Sequence, residues 1–267
     1  MTAERRIGTG ALALLAALAI IGPLVAPDPL APDASRGALL APSAAHWLGT
    51  DPLARDIFAR LARGAGISLG VAAIAVAVAA LIGSLIGLAA GSAAGLAGRL
   101  FERVINLGLA IPRIIVLLVV MAAVGRLPWP LLGVILGATG WPAVARLVRG
   151  ETLRLRHSQY VLAAHALGAP ESRVLWHEIF PGTLPALLVT TTLGVADAIL
   201  LEAGLSFMGV GVRPPAPSWG GMILEAREYI TSAPWLLVAP CLALGLATSS
   251  ATLLGEALRR SLQPDTR

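Results

Sequence analysis

Lysine is absent from this chain: all 20 residues of the Lys+Arg class are arginine. A Walker A phosphate-binding lysine, a Schiff-base lysine and a lysine general base are therefore excluded. Any step driven by ATP must draw on a separate polypeptide, and no cofactor site is expected here. Cysteine occurs once, at Cys241 inside an apolar run. Neither an internal disulfide nor a CxxC metal or redox pair can form. The four histidines, His46, His157, His165 and His177, lack metal-ligand spacing, so no metal is expected. Charge is scarce too, at 13% of residues, against about 25% in globular domains. The net charge of +5 comes without any basic run interleaved with aromatics, so it reads as a topology signal beside membrane spans and not as a nucleic-acid surface.

Apolar residues fill the gap, at 57% of the chain, with a mean hydropathy of +0.80. At about 20 apolar residues per span, six spans are predicted. They run from about Ile7 to Ala26, Ile67 to Ala90, Val104 to Val124, Trp129 to Val148, Leu184 to Leu201 and Trp235 to Leu254. A cleaved signal peptide is the rival reading of the first run, but the stretch is long and no clean A-x-A site follows it. A Pro/Ala/Asp-rich stretch, Pro27 to Trp47, reads as an extracytoplasmic loop. Gly49 to Leu69 reads as an amphipathic lead-in, with Leu53, Ile57, Phe58 and Leu61 at helical spacing. The expected fold class is all-α, a polytopic membrane protein with about six transmembrane helices.

Charge placement orients the spans. With the N-terminus cytoplasmic, Arg5, Arg6, Arg99, Arg103, Arg146, Arg149, Arg154, Arg156, Arg173, Arg259, Arg260 and Arg267 fall inside. Arg36, Arg55, Arg60, Arg63, Arg126, Arg213 and Arg227 fall outside, most of them near acids such as Asp51, Asp56, Glu225 and Glu228. Arg113 lies within a span, toward its cytoplasmic end. The excess inside obeys the positive-inside rule and puts both termini in the cytoplasm. Gly83, Gly87, Gly91 and Gly95, and likewise Gly133 and Gly137, recur every four residues, which lines one helix face for close packing.

Several stretches only look chemical. "GISLG", Gly66 to Gly70, matches G-x-S-x-G but opens an apolar helix and has no strand before it. "HEIFP" lacks the second histidine of a zincin. Asp197 and Glu202 lie five apart in the fifth span and so off one face. Asp197 is costly at depth. It either lines a polar path with Thr190, Thr191 and Thr192 or pairs with a neighbouring helix. No catalytic residue is expected; an intramembrane hydrolase and a secondary transporter are the alternative classes.

The segment Tyr160 to Leu188 interrupts the apolar pattern and reads as a helical hairpin. Tyr160, Ala163, Ala164 and Leu167 share one helix face. Gly168 suits a C-terminal exit, Pro170 and Glu171 suit the next N-terminus, and Pro181 ends the second apolar face. The stretch resembles the EAA loop of ABC importer permeases. Ala163, Ala164, Gly168 and Pro181 are in register, while Leu162 replaces the usual Glu and Glu178 stands where His is common. "HWLGTDPLARDIFARLARGAGISL", His46 to Leu69, resembles the G-T-D-x-x-G-R-D signature of dipeptide, oligopeptide and nickel permeases, with Ala54 in place of the usual Gly. "EAGLSFMGVGVRPPAPSWGGMI", Glu202 to Ile223, is similar to that family's E-A-x-L-S-F-L-G-L-G-x-x-P-P-x-P-S-W-G block, and "WPAVARLVRGETL", Trp141 to Leu153, also matches. The chain resembles the second permease subunit of that family.

The resemblance implies a non-enzymatic subunit of the bacterial inner membrane that forms half of a translocation path, with peptides as the default substrate and nickel as the alternative. Its implied partners are a second homologous permease, two cytoplasmic ATPases that bind the ATP, an extracytoplasmic solute-binding protein and membrane lipid, but no nucleic acid. It divides the chain into residues 1–66, an N-terminal helix, loop and lead-in, and residues 67–267, the permease core. The hairpin, with Tyr160, Ala163, Ala164, Leu167, Gly168 and Pro181, is the implied ATPase-coupling element. Asp197, Thr191, Glu202 and Trp219 are the candidates for the gate or path. Trp219 reads as an interfacial anchor. Its proline-rich segment is either part of an outer gate and binding-protein platform or a passive surface loop.

Overall fold

The computed structural model describes residues 3–25, 37–125 and 127–262. The first part of the proline-rich stretch, residues 27–36 with Arg36, lies outside the described residues, as do Arg126 and Arg267. Among the described residues there is no strand, only the isolated bridge Thr50–Asp56. Five long helices are apolar enough to cross a membrane: α1 (Ala3–Val25), α2 (Ile57–Ser92), α5 (Trp129–Arg156), α8 (Phe180–Phe207) with the turns before it, and α10 (Trp235–Leu262). A bent pair, α3 (Gly95–Ala110) and α4 (Arg113–Val124), makes six if counted as one span. The short helices are α6 (Gln159–Ala166), α7 (Glu171–Arg173) and α9 (Trp219–Ala226). Residues 37–56 and 208–234 gather at one end of the bundle, here the loop end. The α6–α7 connection marks the other, the hairpin end.

Three expectations need correction. The predicted lead-in and second span are one helix: α2 has 36 residues, roughly 54 Å at 1.5 Å each, well beyond the ~30 Å hydrocarbon layer. Its extra turns at the loop end are the lead-in, and Leu53 lies in the turn before it. The helix starts where Asp56 accepts the Ala59 N–H at 2.9 Å as its N-cap, and it crosses the 66/67 division without interruption.

The third span is not a single rod. Pro112 has no N–H and forces Ile111 to an extended conformation, φ −93° and ψ 129°. α3 and α4 therefore meet at 80°. Pro181 does not end its helix either. α7, a π-helical stretch (Val174–Ile179) and α8 run on as one 37-residue rod. Pro181 falls in the first turn of α8, where the hydrogen-bond register shifts and a missing donor costs little.

The closest helix contact is between α2 and α5. A Cβ at Gly83 would meet Val144, at Gly87 the Ala145 carbonyl and Val148, and at Gly91 Thr152. From the other side, Gly133 and Gly137 face Ile74 and Val78. Two glycine rows let the backbones approach over four turns. Gly95 is not part of this row: it starts α3 at φ +61° with open space around it. One apolar cluster, with Leu61, Val71, Leu132, Leu136, Ile199 and Trp219, fills the loop half. A second, with Leu88, Val148, Leu155, Val161 and Val174, fills the hairpin half. Gly87→Ala should destabilise the chain by about 1–3 kcal/mol, since overpacking has no room to relax. Gly245→Ala, with nothing within 4 Å, should not. Thermal unfolding of the chain in detergent measures both.

Candidate functional site

The hairpin is closed by a Schellman motif at Gly168. Gly168 adopts φ +81°; its N–H donates to His165 O at 2.9 Å, and the Ala169 N–H donates to Ala164 O at 3.1 Å. The left-handed exit predicted from the glycine is therefore present. Val161 is fully buried, with Ala164 and Ala169 packed on the same cluster. Tyr160, Leu162, Ala163 and Leu167 face out, Leu167 at 89% exposure. The predicted four-residue face is thus divided: Ala164 turns inward and the other three turn outward. Trp176, 47% exposed, extends the apolar surface from the second helix.

Arg156, at the end of α5, braces the hairpin. It donates to the Gly91 and Ser92 carbonyls at the C-terminus of α2, at 3.2 and 2.6 Å, and to Glu171 at 2.9 Å. A cation there also complements the negative end of α2. Sequence reasoning treated Arg156 only as a topology marker; its partners lie 64 and 65 residues upstream and 15 downstream.

At the loop end, the G-T-D-x-x-A-R-D stretch forms one knot. Gly49 is at φ +82°, where a side chain would run into the Leu40 carbonyl. Thr50 Oγ1 accepts the Leu40 N–H and donates to Gly37 O. Asp51, with no exposure, accepts the N–H groups of Leu53 and Arg55 and the guanidinium groups of Arg55 and Arg60. Arg60 reaches on to both oxygens of Glu225 in α9, at 2.7 and 3.0 Å. Asp56 caps α2 and bonds His46 at 2.9 Å. Ala54 is held at φ +56°, a left-handed conformation that costs a non-glycine residue roughly 1 kcal/mol.

The four path candidates fall into two places. Glu202 is completely buried in α8. It accepts from Ser68 Oγ of α2 at 2.9 Å and from Ser206 Oγ at 2.7 Å. Ser206 Oγ in turn accepts the Val212 N–H, and Ser68 Oγ the Trp219 N–H. Trp219 is also fully buried, its indole N–H donating to Leu61 O at 3.2 Å. The interfacial-anchor expectation is corrected: Gly64 of α2 leaves room for the ring and Gly220 lies against the Ala203 backbone. Ser68 of the "GISLG" stretch is a buried hydroxyl within α2, bonded to Glu202 and to the Trp219 N–H, with no strand before it.

Asp197 and Thr191 instead line a cavity of about 110 Å³ between α2, α4, α5 and α8. Asp197 Oδ2 accepts from Arg113 Nη1 at 2.7 Å. Of the two readings left open for Asp197, pairing with a neighbouring helix is present, and the pair borders open space as well. Arg113 is further held by Leu136 O at 2.6 Å and Thr139 Oγ1 at 3.3 Å.

A long-helix bundle with an internal charge pair and a hairpin braced at one end, its apolar tip exposed, suits a transport subunit. A family described as "Binding-protein-dependent transport system inner membrane component" matches residues 83–267. The chain belongs to this family. The permease is 41% identical over 261 residues to a probable peptide ABC transporter permease protein of Sinorhizobium fredii, covering 97% of this chain and 88% of that protein. It is 34% identical over 247 residues to a dipeptide transport system permease protein of Alkalihalophilus pseudofirmus, covering 92% and 81%. It is 40% identical over 225 residues to a glutathione transport system permease protein of Shigella flexneri, covering 84% and 73%.

The permease is thus a multi-pass membrane subunit and not an enzyme, and the hydrolase alternative falls. It works with an ATPase and a substrate-binding protein, as its family does. Glu202→Ala should cost the permease about 2–3 kcal/mol, because two buried hydroxyls lose their acceptor. Glu202→Gln, which keeps one acceptor oxygen, should cost less. Thermal unfolding followed by tryptophan fluorescence, to which Trp219 contributes, orders the two variants.

Proposed function

We infer that the permease forms half of a translocation path for di- and oligopeptides in a bacterial cell membrane. A second homologous permease supplies the other half, and two cytoplasmic ATPases bind the ATP and grip one hairpin each. The peptide reading draws on relatives named for dipeptide, peptide and glutathione transport. Both termini and the hairpin are cytoplasmic and the loop end extracytoplasmic, which keeps most arginines inside. Residues 67–267 act as the permease core, and residues 1–66 add the first helix and the loop knot.

The observation that carries the coupling reading is the tip of the hairpin. Leu167 is almost wholly exposed beside Gly168, although a free apolar tip gains nothing in water. Tyr160, Ala163, Leu162 and Trp176 extend the same surface, so the grip is apolar, in keeping with the missing EAA-loop glutamate. Ala164 and Val161 hold the hairpin to the bundle, and Pro181 lies where the π-helical stretch passes into α8 behind it. Movement of the ATPases then reaches the path through α8, as a two-state element biased from a distant site.

A Cβ at Gly168 would meet nothing within 4 Å, so Gly168→Asp costs the permease itself only the roughly 1 kcal/mol of a left-handed residue. It should insert normally, co-purify poorly with the ATPases and fail to take up peptide. The exposed control Gln159→Asp should behave as wild type. Equal ATPase recovery and uptake from both variants would sink the coupling role. For topology, with Cys241 replaced, a cysteine at Arg213 should react with a membrane-impermeant label from outside the cell, and one at His165 only from inside. The reverse pattern overturns the orientation.

A further inference from the structure

Asp197 lies ten residues before the end of α8 at Phe207, roughly 15 Å along the helix, and Arg113 opens the 12-residue α4, roughly 17 Å from its end. Both ends belong to the loop side. In a hydrocarbon layer of ~30 Å the pair therefore sits near mid-depth, where an unpaired charge is costly. Its two members are held unequally. Arg113 is fixed from α5 by Leu136 O and Thr139 Oγ1, and Gly140 leaves the room its guanidinium needs: a Cβ there would stand 2.9 Å from Nη2. Among the described residues Asp197 is bonded through Oδ2 alone, and its side chain is 62% exposed. A carboxylate this open at that depth cannot face hydrocarbon. It faces a water-filled path or the second permease across it.

We propose that Arg113 and Asp197 are the charged subsite of the translocation path, Asp197 receiving the α-ammonium group and Arg113 the α-carboxylate of a passing peptide. This rests on the peptide reading above. Peptides of different sequence share a backbone and two oppositely charged ends. The cavity offers the same two charges and otherwise small side chains, among them Ala79, Thr191 and Gly194, so it reads ends and not side chains. A zwitterion exchanges partners with the pair: its ammonium takes the place of Arg113 at Asp197, and its carboxylate the place of Asp197 at Arg113. No charge is left alone at depth. A solute with a single charge would strand one member. At about 110 Å³, the cavity is smaller than the ~150 Å³ that takes up a benzene, so it does not admit a peptide while the pair is closed and passage needs the second permease to widen it.

The test uses the assembled importer in proteoliposomes, with its ATPases and binding protein. ATP-driven uptake is compared for a dipeptide with free ends, its N-acetylated form and its C-amidated form, chosen so that all three bind the binding protein and used at saturation. Asp197→Asn, an isosteric change that leaves both other bonds of Arg113 intact, should lower uptake of the free and amidated peptides roughly tenfold or more, the weight of one charge-assisted hydrogen bond. Uptake of the N-acetylated peptide should hold or rise, because no carboxylate at position 197 is left stranded when its single charge takes Arg113. Arg113→Gln should do the converse, sparing only the amidated peptide. Equal losses for all three peptides would reduce the pair to a clamp between α4 and α8 and overturn the proposal, as would undiminished uptake in both variants. If the wild-type importer moves none of the three, the peptide reading itself fails and the subsite goes with it.

Discussion

The near-contact of the α2 and α5 backbones is the constraint on which the other features hang. Glycine rows on both helices remove the side chains that would hold them apart, and lipid supplies no hydrophobic drive to compensate for a loose fit. Once the two are locked, their ends are placed. α2 carries the Asp51 knot and Ser68 at one end, and at the other it presents the carbonyls that Arg156 caps. α5 contributes Leu136, Thr139 and Gly140 to the seat of Arg113, then leads directly into the hairpin. The site residues sit on a frame whose register is set by small side chains far from any of them.

The exclusive use of arginine has a structural counterpart. Arg60 bonds Asp51 and Glu225, Arg113 bonds a carboxylate, a hydroxyl and a carbonyl, and Arg156 bonds two carbonyls and a carboxylate. Each joins elements distant in sequence through several donors of one planar group. An ammonium is a compact, strongly hydrated charge and would not span such geometries as well. The cations that orient the chain in the membrane also tie its helices to one another.

Much of this was legible in the sequence because it is local. Five helices follow from apolar length, the hairpin from a break in that pattern, and the exit at Gly168 from a residue that fits φ +81°. The bend at Ile111–Pro112 was hidden because it lies in an apolar run of span length, where one proline reads as tolerable. Trp219 misled because a tryptophan among prolines and glycines outside a span suggests a surface; the space for its ring comes from Gly64, far upstream. Glu202 stood out as a path candidate, but its partner did not, since Ser68 lies 134 residues away. The resemblance to a signature with glycine at Ala54 did mark a backbone feature: the position is left-handed, and the alanine keeps it.

The rod that begins at Glu171 and ends at Phe207 has a mechanical consequence. It is roughly 55 Å long and carries the foot of the hairpin, Asp197 and Glu202 in one unbroken helix. A tilt of a few degrees applied at its foot becomes a sideways swing of several ångströms at its head, with no loop between to absorb it. The ladder is irregular only near the foot, at the π-helical stretch and at Pro181 and Pro185 that follow it, and there it is able to yield. Stiffness over most of the length and compliance at one end is the build of a lever with a wrist.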